Sequence, residues 1–138
     1  MQSVEPVYRH SVGAVMHALP GGIVVLRLTG ALTVEAIDEF GKRLHAAHGA
    51  TASGYLLDYR TAVILATDDD LTRLSQTAHP DPLKRPAAFI VHPSAAQSIK
   101  DQCLRMALLG FPRRYFFEIR PAWEWVSQEA RRRRTRID

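Results

Sequence analysis

The sequence LPGGIVVLRLTGALT, at residues 19–33, combines a predicted tight turn, an apolar stretch and the predicted start of a helix. Pro20 and Gly21 suit the central positions of a β-turn, because proline fixes φ and glycine tolerates positive φ. Residues 11–19 before the turn and 23–29 after it therefore predict the two strands of an antiparallel hairpin. The second strand begins with an unbroken apolar run, which is typical of a strand covered on both faces.

Downstream of this hairpin, predicted helices alternate with predicted strands. Apolar spacing, caps and prolines predict helices at residues 33–48, 67–79, 94–109 and from 121 onward, separated by strands at residues 54–59, 86–92 and 115–119. Strands joined through helices run parallel, whereas the opening hairpin adds one antiparallel strand. The order β-β-α-β-α-β-α-β-α therefore predicts an α/β fold with a five-stranded mixed, mainly parallel sheet and about four helices.

The length of the chain, 138 residues, is that of one domain. We predict a single domain over residues 1–138, with its core at residues 11–128 and a basic C-terminal tail at residues 129–138. Cys103 is the only cysteine, so no internal disulfide can form, and the cytoplasm is the expected location. No apolar run approaches the roughly 20 residues of a transmembrane segment.

The net charge of +4 is concentrated at the C-terminus. Five arginines and one aspartate lie in residues 131–138, while acidic and basic residues balance in the preceding part of the chain. A neutral body does not favour specific nucleic-acid binding. The cluster is either a set of solvated cations near a helix end or an electrostatic contact for an anionic surface of lipid or nucleic acid. Its members are Arg131, Arg132, Arg133, Arg134 and Arg136.

Several local motifs resemble those of the STAS domain family, named for sulfate transporters and anti-sigma-factor antagonists. Residues 30–33, Gly-Ala-Leu-Thr, match the turn between a strand and the first helix of that family, and residues 56–58, Leu-Leu-Asp, match its apolar strand ending in an acid. Residues 115–118 with Ala122 and Trp125 resemble its closing strand and helix. The resemblance covers about residues 11–128 and is greatest to stand-alone, SpoIIAA-like bacterial proteins. It implies a non-enzymatic regulatory or protein-interaction module.

The chain departs from this family at its switch. Anti-sigma-factor antagonists carry an Asp-Ser-Ser-Gly-Leu-type motif at the start of the second helix, where a kinase phosphorylates a serine. The matching residues 66–71 read Ala-Thr-Asp-Asp-Asp-Leu, with neither serine nor glycine. We therefore expect no intact phospho-serine switch. The carboxylates either complement the helix dipole or form a surface that a partner recognises. By resemblance, the expected binding residues are Asp58, Thr67, Asp68, Asp69 and Asp70.

The predicted third helix has apolar residues on more than one side. At 100° per residue, Ile99, Cys103 and Met106 share one face, whereas Leu104 and Leu108 lie away from it. Phe111 follows the helix. Either the helix is covered on several sides, or Leu104, Leu108 and Phe111 form a patch for a protein partner or a second copy of the chain.

Two other function classes remain open at this point. Related α/β folds bury a small apolar ligand or lipid between helices and sheet, and Phe40, Phe89, Trp123 and Trp125 are the residues we expect to line such a space. An enzyme is disfavoured, because the sequence has no nucleophile elbow, phosphate loop or zinc spacing. We therefore predict no catalytic residue, no cofactor and no metal site.

Overall fold

The structure, a computed structural model, describes residues 13–77, 84–94 and 97–137. It opens with two antiparallel strands, β1 (Gly13–Ala18) and β2 (Ile23–Leu32), joined by a short turn in which Gly21 has a φ of 83°. The remaining elements alternate: α1 (Val34–His48), β3 (Gly54–Ile64), α2 (Asp68–Thr77), β4 (Ala87–Ile90), α3 (Gln97–Leu108), β5 (Arg113–Phe116) and α4 (Ile119–Ile137).

The five strands form one sheet in the order β1-β2-β3-β4-β5, and every pair except β1 and β2 is parallel. The predicted α/β fold, with its mixed, mainly parallel sheet and four helices, is confirmed. Because successive parallel strands are added in one direction, right-handed crossovers place α1, α2 and α3 on the same face of the sheet. We call this the three-helix face. The opposite side, covered by α4, is the α4 face.

Each face of the sheet has its own apolar core, because neighbouring residues of a strand point to opposite sides. On the three-helix face, side chains from the strands pack with α1, α2 and α3, among them Leu26, Leu28, Leu57, Phe40 and Ile99. On the α4 face, a smaller cluster joins the sheet to the last helix, comprising Ile23, Leu56, Ala88, Ile90, Ala122, Val126 and Ala130.

Strand β3 is longer than predicted and contains an irregularity where its pairing with β2 shifts. Asp58 lies opposite Arg27, and Thr61 lies opposite Thr29, so β3 uses one extra residue over this interval. Such a bulge reverses the side-chain alternation beyond it. Val63 consequently points away from the three-helix face and is 60% exposed. The sequence prediction ends this strand at residue 59, whereas the structure continues it past the bulge to Ile64.

The last helix corrects the predicted division between core and tail. Helix α4 runs without interruption from Ile119 to Ile137, and Ala130 is only 2% exposed. Ala122, Val126 and Ala130 recur every four residues and lie together against the sheet. The packed domain therefore extends beyond residue 128, and the predicted basic tail is instead the last part of a helix.

Candidate functional site

The acidic start of α2 is held by a reciprocal capping arrangement. The backbone N–H of Asp70 donates to Thr67 Oγ1 at 3.1 Å, and the backbone N–H of Thr67 donates to Asp70 Oδ2 at 3.2 Å. This is a capping box with aspartate in place of the usual glutamate. Asp70 also pairs with Arg73 at 2.6 Å. The hydrogen bonds from Thr67, with Arg73 adding to them, hold the pKa of Asp70 below its ordinary value.

Asp68 links α2 to α3 rather than facing solvent alone. Its carboxylate accepts from Arg105 Nη2 at 2.9 Å and from Gln102 Nε2 at 3.1 Å. Arg105 and Gln102 also donate to Thr72 Oγ1, at 2.9 and 2.8 Å. The hydrogen bond from Arg105, followed by that from Gln102, lowers the pKa of Asp68. The network ties the two helices together at the acidic start of α2.

Asp69 is the remaining carboxylate of the three. It is exposed, and within the described residues its side chain forms no hydrogen bond or ion pair. The three consecutive aspartates thus have three roles: Asp68 bridges helices, Asp70 caps, and Asp69 is presented to solvent. This difference follows from the helix geometry, since consecutive side chains point about 100° apart.

The structure does not bring Asp58 together with the start of α2. Asp58 is 4% exposed and lies on the α4 face, at the bulge of β3. Its carboxylate accepts from Arg60 Nε at 3.0 Å, from Arg60 Nη2 at 2.9 Å and from the backbone N–H of Arg60 at 3.1 Å, and Arg27 lies 3.5 Å away. The expectation that Asp58 belongs to the same surface as Thr67 is therefore corrected, because alternation turns its side chain to the other side.

The pKa of Asp58 reflects two opposed effects. Burial raises it, while the hydrogen bonds from Arg60 and the positive charges of Arg60 and Arg27 lower it more strongly. The pKa therefore lies below its ordinary value, and the group is a charged carboxylate whose acceptor positions are filled. Because the bulge leaves the Arg60 N–H outside the strand pairing, Asp58 also satisfies a backbone donor.

Helix α3 has an uncovered apolar side. Leu104 is 59% exposed, Leu108 is 87% exposed and Leu109 is 69% exposed, whereas Ile99, Cys103 and Met106 are buried as predicted. Phe111 is half-buried. Leu104 and Leu108 lie one turn apart and beside Arg105, so the apolar stripe adjoins the Asp68 network. We call Thr67, Asp69, Leu104, Leu108 and Leu109 together the α2–α3 surface. Leu109 was missed in the sequence, because it follows the helix stripe rather than belonging to it.

The arginine cluster lies on α4 and is partly neutralised. Arg132 donates to both carboxylate oxygens of Glu129, at 3.0 and 2.8 Å, and Arg133 lies 4.0 Å from the same carboxylate. Arg131 belongs to the same helix. The side chains of Arg134 and Arg136 lie outside the described residues. The predicted free basic appendage is therefore replaced, as far as its described arginines go, by a helix surface in which Glu129 offsets part of the charge.

A cavity of about 450 Å³ lies between the sheet and the helices of the three-helix face. Its walls are mainly apolar, and Phe40 and Phe89 line it as predicted. Trp123 and Trp125 do not, since they pack on the α4 face. The other apolar lining residues include Leu26, Leu28, Ile37, Leu44, Leu57, Leu71, Leu74, Ile99 and Met106.

The cavity contains a positive charge that the sequence did not single out. Arg113 lines it at the start of β5, one residue away from exposed Arg114. The sequence predicts this strand only from residue 115, whereas in the structure it begins at Arg113. Its pairing with Ala87 on the neighbouring strand gives the signal that was missing, because paired residues share a face.

Similarity to known proteins was assessed by sequence and by structure. No protein-family model and no curated protein matches the chain. An anti-sigma factor antagonist from Mycobacterium paratuberculosis superposes with a TM-score of 0.58 and 11% identity, covering 84% of this chain and 94% of that one. An uncharacterized protein of the DUF3478 family with a SpoIIAA-like fold, from Shewanella loihica, gives 0.56 and 13%, covering 84% and 93%.

The anti-sigma factor antagonist SpoIIAA in its unphosphorylated form gives a TM-score of 0.52 at 12% identity, covering 83% of this chain and 97% of that one. Among the described residues, no helix is long and apolar enough to cross a membrane. In the same part of the chain, no three His, Cys, Asp or Glu residues lie together as ligands for a metal ion. The shared architecture extends over most of both chains, and this domain has the SpoIIAA-like α/β fold that its resemblance to the STAS family implies.

Proposed function

We propose that this chain is a non-enzymatic protein-interaction module that binds a protein partner, or a second copy of itself, through the α2–α3 surface. The observation that carries the proposal is the uncovered leucine pair, Leu104 and Leu108, beside the acidic start of α2. The fold, which it shares with anti-sigma factor antagonists, supports a regulatory role. The free, buried thiol of Cys103 favours a cytoplasmic location.

The composition of the α2–α3 surface supports its proposed role as a protein interface. Burying one leucine side chain contributes about 1.5–3 kcal/mol, so two adjacent solvated leucines are a substantial gain for a complex. Asp69 and Arg105 flank them and supply a polar rim of both signs. An apolar centre with a charged rim is the usual arrangement at such interfaces.

The proposed module works without phosphorylation. The Thr67 hydroxyl accepts the cap hydrogen bond from Asp70, so it has a structural role at the helix start. A phosphate there would add about −1.5 to −2 charge beside three carboxylates. These residues therefore favour binding through a permanently acidic helix start over a switch that depends on phosphorylation.

Site-specific photocrosslinking in the cells that express the chain tests this proposal. A photoreactive amino acid replaces Leu104 in one variant and Val63 in a matched control, since the two side chains are 59% and 60% exposed. We expect discrete crosslinked species, of a protein partner or of a dimer, from position 104 and not from position 63. Equal crosslinking from both positions, or none from position 104, would contradict the proposed surface.

A further inference from the structure

The cavity of the three-helix face combines mainly apolar walls with the positive charge of Arg113. Its volume, about 450 Å³, lies within the range of ordinary small-ligand sites. Arg113 forms no ion pair with any residue in the described part of the chain. The one hydrogen bond it donates there runs from Nη1 to the Arg85 carbonyl oxygen at 3.1 Å. A guanidinium has five N–H donors, so most of them remain available.

A second polar group faces the same space. Tyr59 lines the cavity and packs its ring edge-on against Phe89, with 5.6 Å between ring centroids. Its hydroxyl forms no hydrogen bond with the residues that the structure describes, and it is not among the fully enclosed, unsatisfied atoms. Because the ring lines the cavity, this unpaired hydroxyl is a candidate donor to a ligand there.

Within the described residues, the groups around Arg113 offer it no negative charge, and the one carboxylate that lines the cavity, that of Asp38, is paired with Lys42 at 3.0 Å. Burial raises the pKa of the Cys103 thiol to about 12 and also raises the pKa of Tyr59, so both are neutral at physiological pH. Burial lowers the pKa of Arg113 to about 10, with the thiol and the phenols of Tyr55 and Tyr59 opposing that effect. The guanidinium thus remains charged, and an anion has to come from outside this set.

We propose that this cavity binds a single-chain carboxylic acid, whose carboxylate pairs with Arg113 and whose alkyl chain lies along the apolar walls. The planar guanidinium matches a carboxylate through two parallel hydrogen bonds. The walls provided by Leu57, Phe89 and Met106 suit a saturated chain and offer little to a polar one. The residues of this site are separate from the α2–α3 surface, so the ligand proposal does not depend on the protein-interaction proposal.

Calorimetric titration of the full-length protein with head-group variants of one chain length tests the proposal without any mutation. Decanoate, decanol and decyltrimethylammonium share the alkyl chain and differ in charge. We expect decanoate to bind about tenfold more tightly than decanol, because a hydrogen-bonded ion pair replaces a neutral contact. Shortening the acid should weaken binding about fourfold for each methylene removed. No decanoate binding, or equal binding of the acid and the alcohol, would overturn the proposal.

A pair of neighbouring substitutions then assigns the charge. Arg113→Met removes the guanidinium from the cavity, and Arg114→Met removes its neighbour, which lies over Phe116 on the α4 face. We expect Arg113→Met to weaken decanoate binding about tenfold and leave decanol binding unchanged, while Arg114→Met changes neither. Decanoate binding that survives in folded Arg113→Met protein, checked by circular dichroism, would rule out the assigned role.

Discussion

Each face of the sheet carries a charged side chain, and the two side chains differ in how fully their hydrogen bonds are satisfied. On the α4 face, Asp58 accepts hydrogen bonds from Arg60 and forms an ion pair with Arg27, and α4 covers the neighbouring apolar cluster. On the three-helix face, Arg113 has one backbone acceptor in the described residues and lies against an open cavity. The carboxylate of Asp58, whose hydrogen bonds are satisfied, stabilises the fold. The guanidinium of Arg113, with donors left over beside a cavity, is available to a ligand.

The largest effect on stability is expected at Asp58, whose hydrogen bonds are satisfied. Asp58→Asn should lower the free energy of unfolding by about 2 kcal/mol, because it removes charge-assisted hydrogen bonds and leaves two arginines without their shared partner. Both arginines are partly solvated, which keeps the loss below that of a fully enclosed pair. Urea unfolding followed by circular dichroism measures it. Asp69→Asn is the matched control. An equally large loss of unfolding free energy in that variant would mean that the burial and hydrogen bonds of Asp58 do not account for its effect.

The same carboxylate predicts a pH dependence. Since the folded-state pKa of Asp58 lies below the unfolded value near 3.8, its contribution is complete above that pH and declines as the pH falls toward the folded pKa. The stability difference between the wild type and Asp58→Asn should therefore be constant from neutral pH to about 5 and shrink below about 4. Unfolding at a series of pH values measures this difference, and a difference that grows with acid would contradict the sign.

Replacing Arg113, most of whose donors have no acceptor in the described residues, should change stability in the opposite direction. Arg113→Met is expected to raise the free energy of unfolding by about 1 kcal/mol, because a partly buried cation without a counter-charge is replaced by an apolar side chain of similar length. Thermal and urea unfolding without ligand provide the measurement, with Arg114→Met as the control. A loss of stability in Arg113→Met alone would show that the arginine is structural, as Asp58 is.

A smaller effect is expected at Thr67, which lies on the α2–α3 surface. Thr67→Ala removes the cap at the start of α2 and should cost about 1 kcal/mol, whereas Thr67→Ser should cost less. Neither substitution should change which proteins crosslink to position 104, since no phosphate is required. Crosslinking lost in folded Thr67→Ala protein but kept in Thr67→Ser would point to a hydroxyl-dependent switch at Thr67 and contradict this expectation.

Sequence reasoning found the order of strands and helices along the chain and the buried face of α3, because both follow from local periodicity. Turn chemistry at Pro20 and Gly21 placed the hairpin, and the spacing of Ile99, Cys103 and Met106 identified the buried side of α3. The cavity charge could not be found in this way. Whether Arg113 points inward depends on where β5 begins, which is set by pairing with β4 rather than by its own residues.

Two further differences arise from the same cause. The bulge at Asp58 depends on the alignment of β3 with β2, so neither the extra length of β3 nor the direction of Val63 was visible in the pattern. The arginine run masked Ala130 as the continuation of the predicted inward spacing of Ala122 and Val126, because five arginines in eight residues suggested a solvated tail. The length of β3, the direction of Val63 and the extent of the last helix therefore depend on contacts between elements, which the local sequence pattern does not contain.

The proposed partner, whether another protein or a second copy of the chain, is assigned to the α2–α3 surface, and no contact with it is assigned to the α4 side. Native mass spectrometry of gently purified protein tests this assignment most directly, comparing wild type with Leu104→Glu/Leu108→Glu and with Val63→Glu. We predict a bound partner chain or a dimer with wild type and with Val63→Glu, and the bare monomer with the double variant. The same bound species on the double variant, or its loss from Val63→Glu alone, would contradict the account.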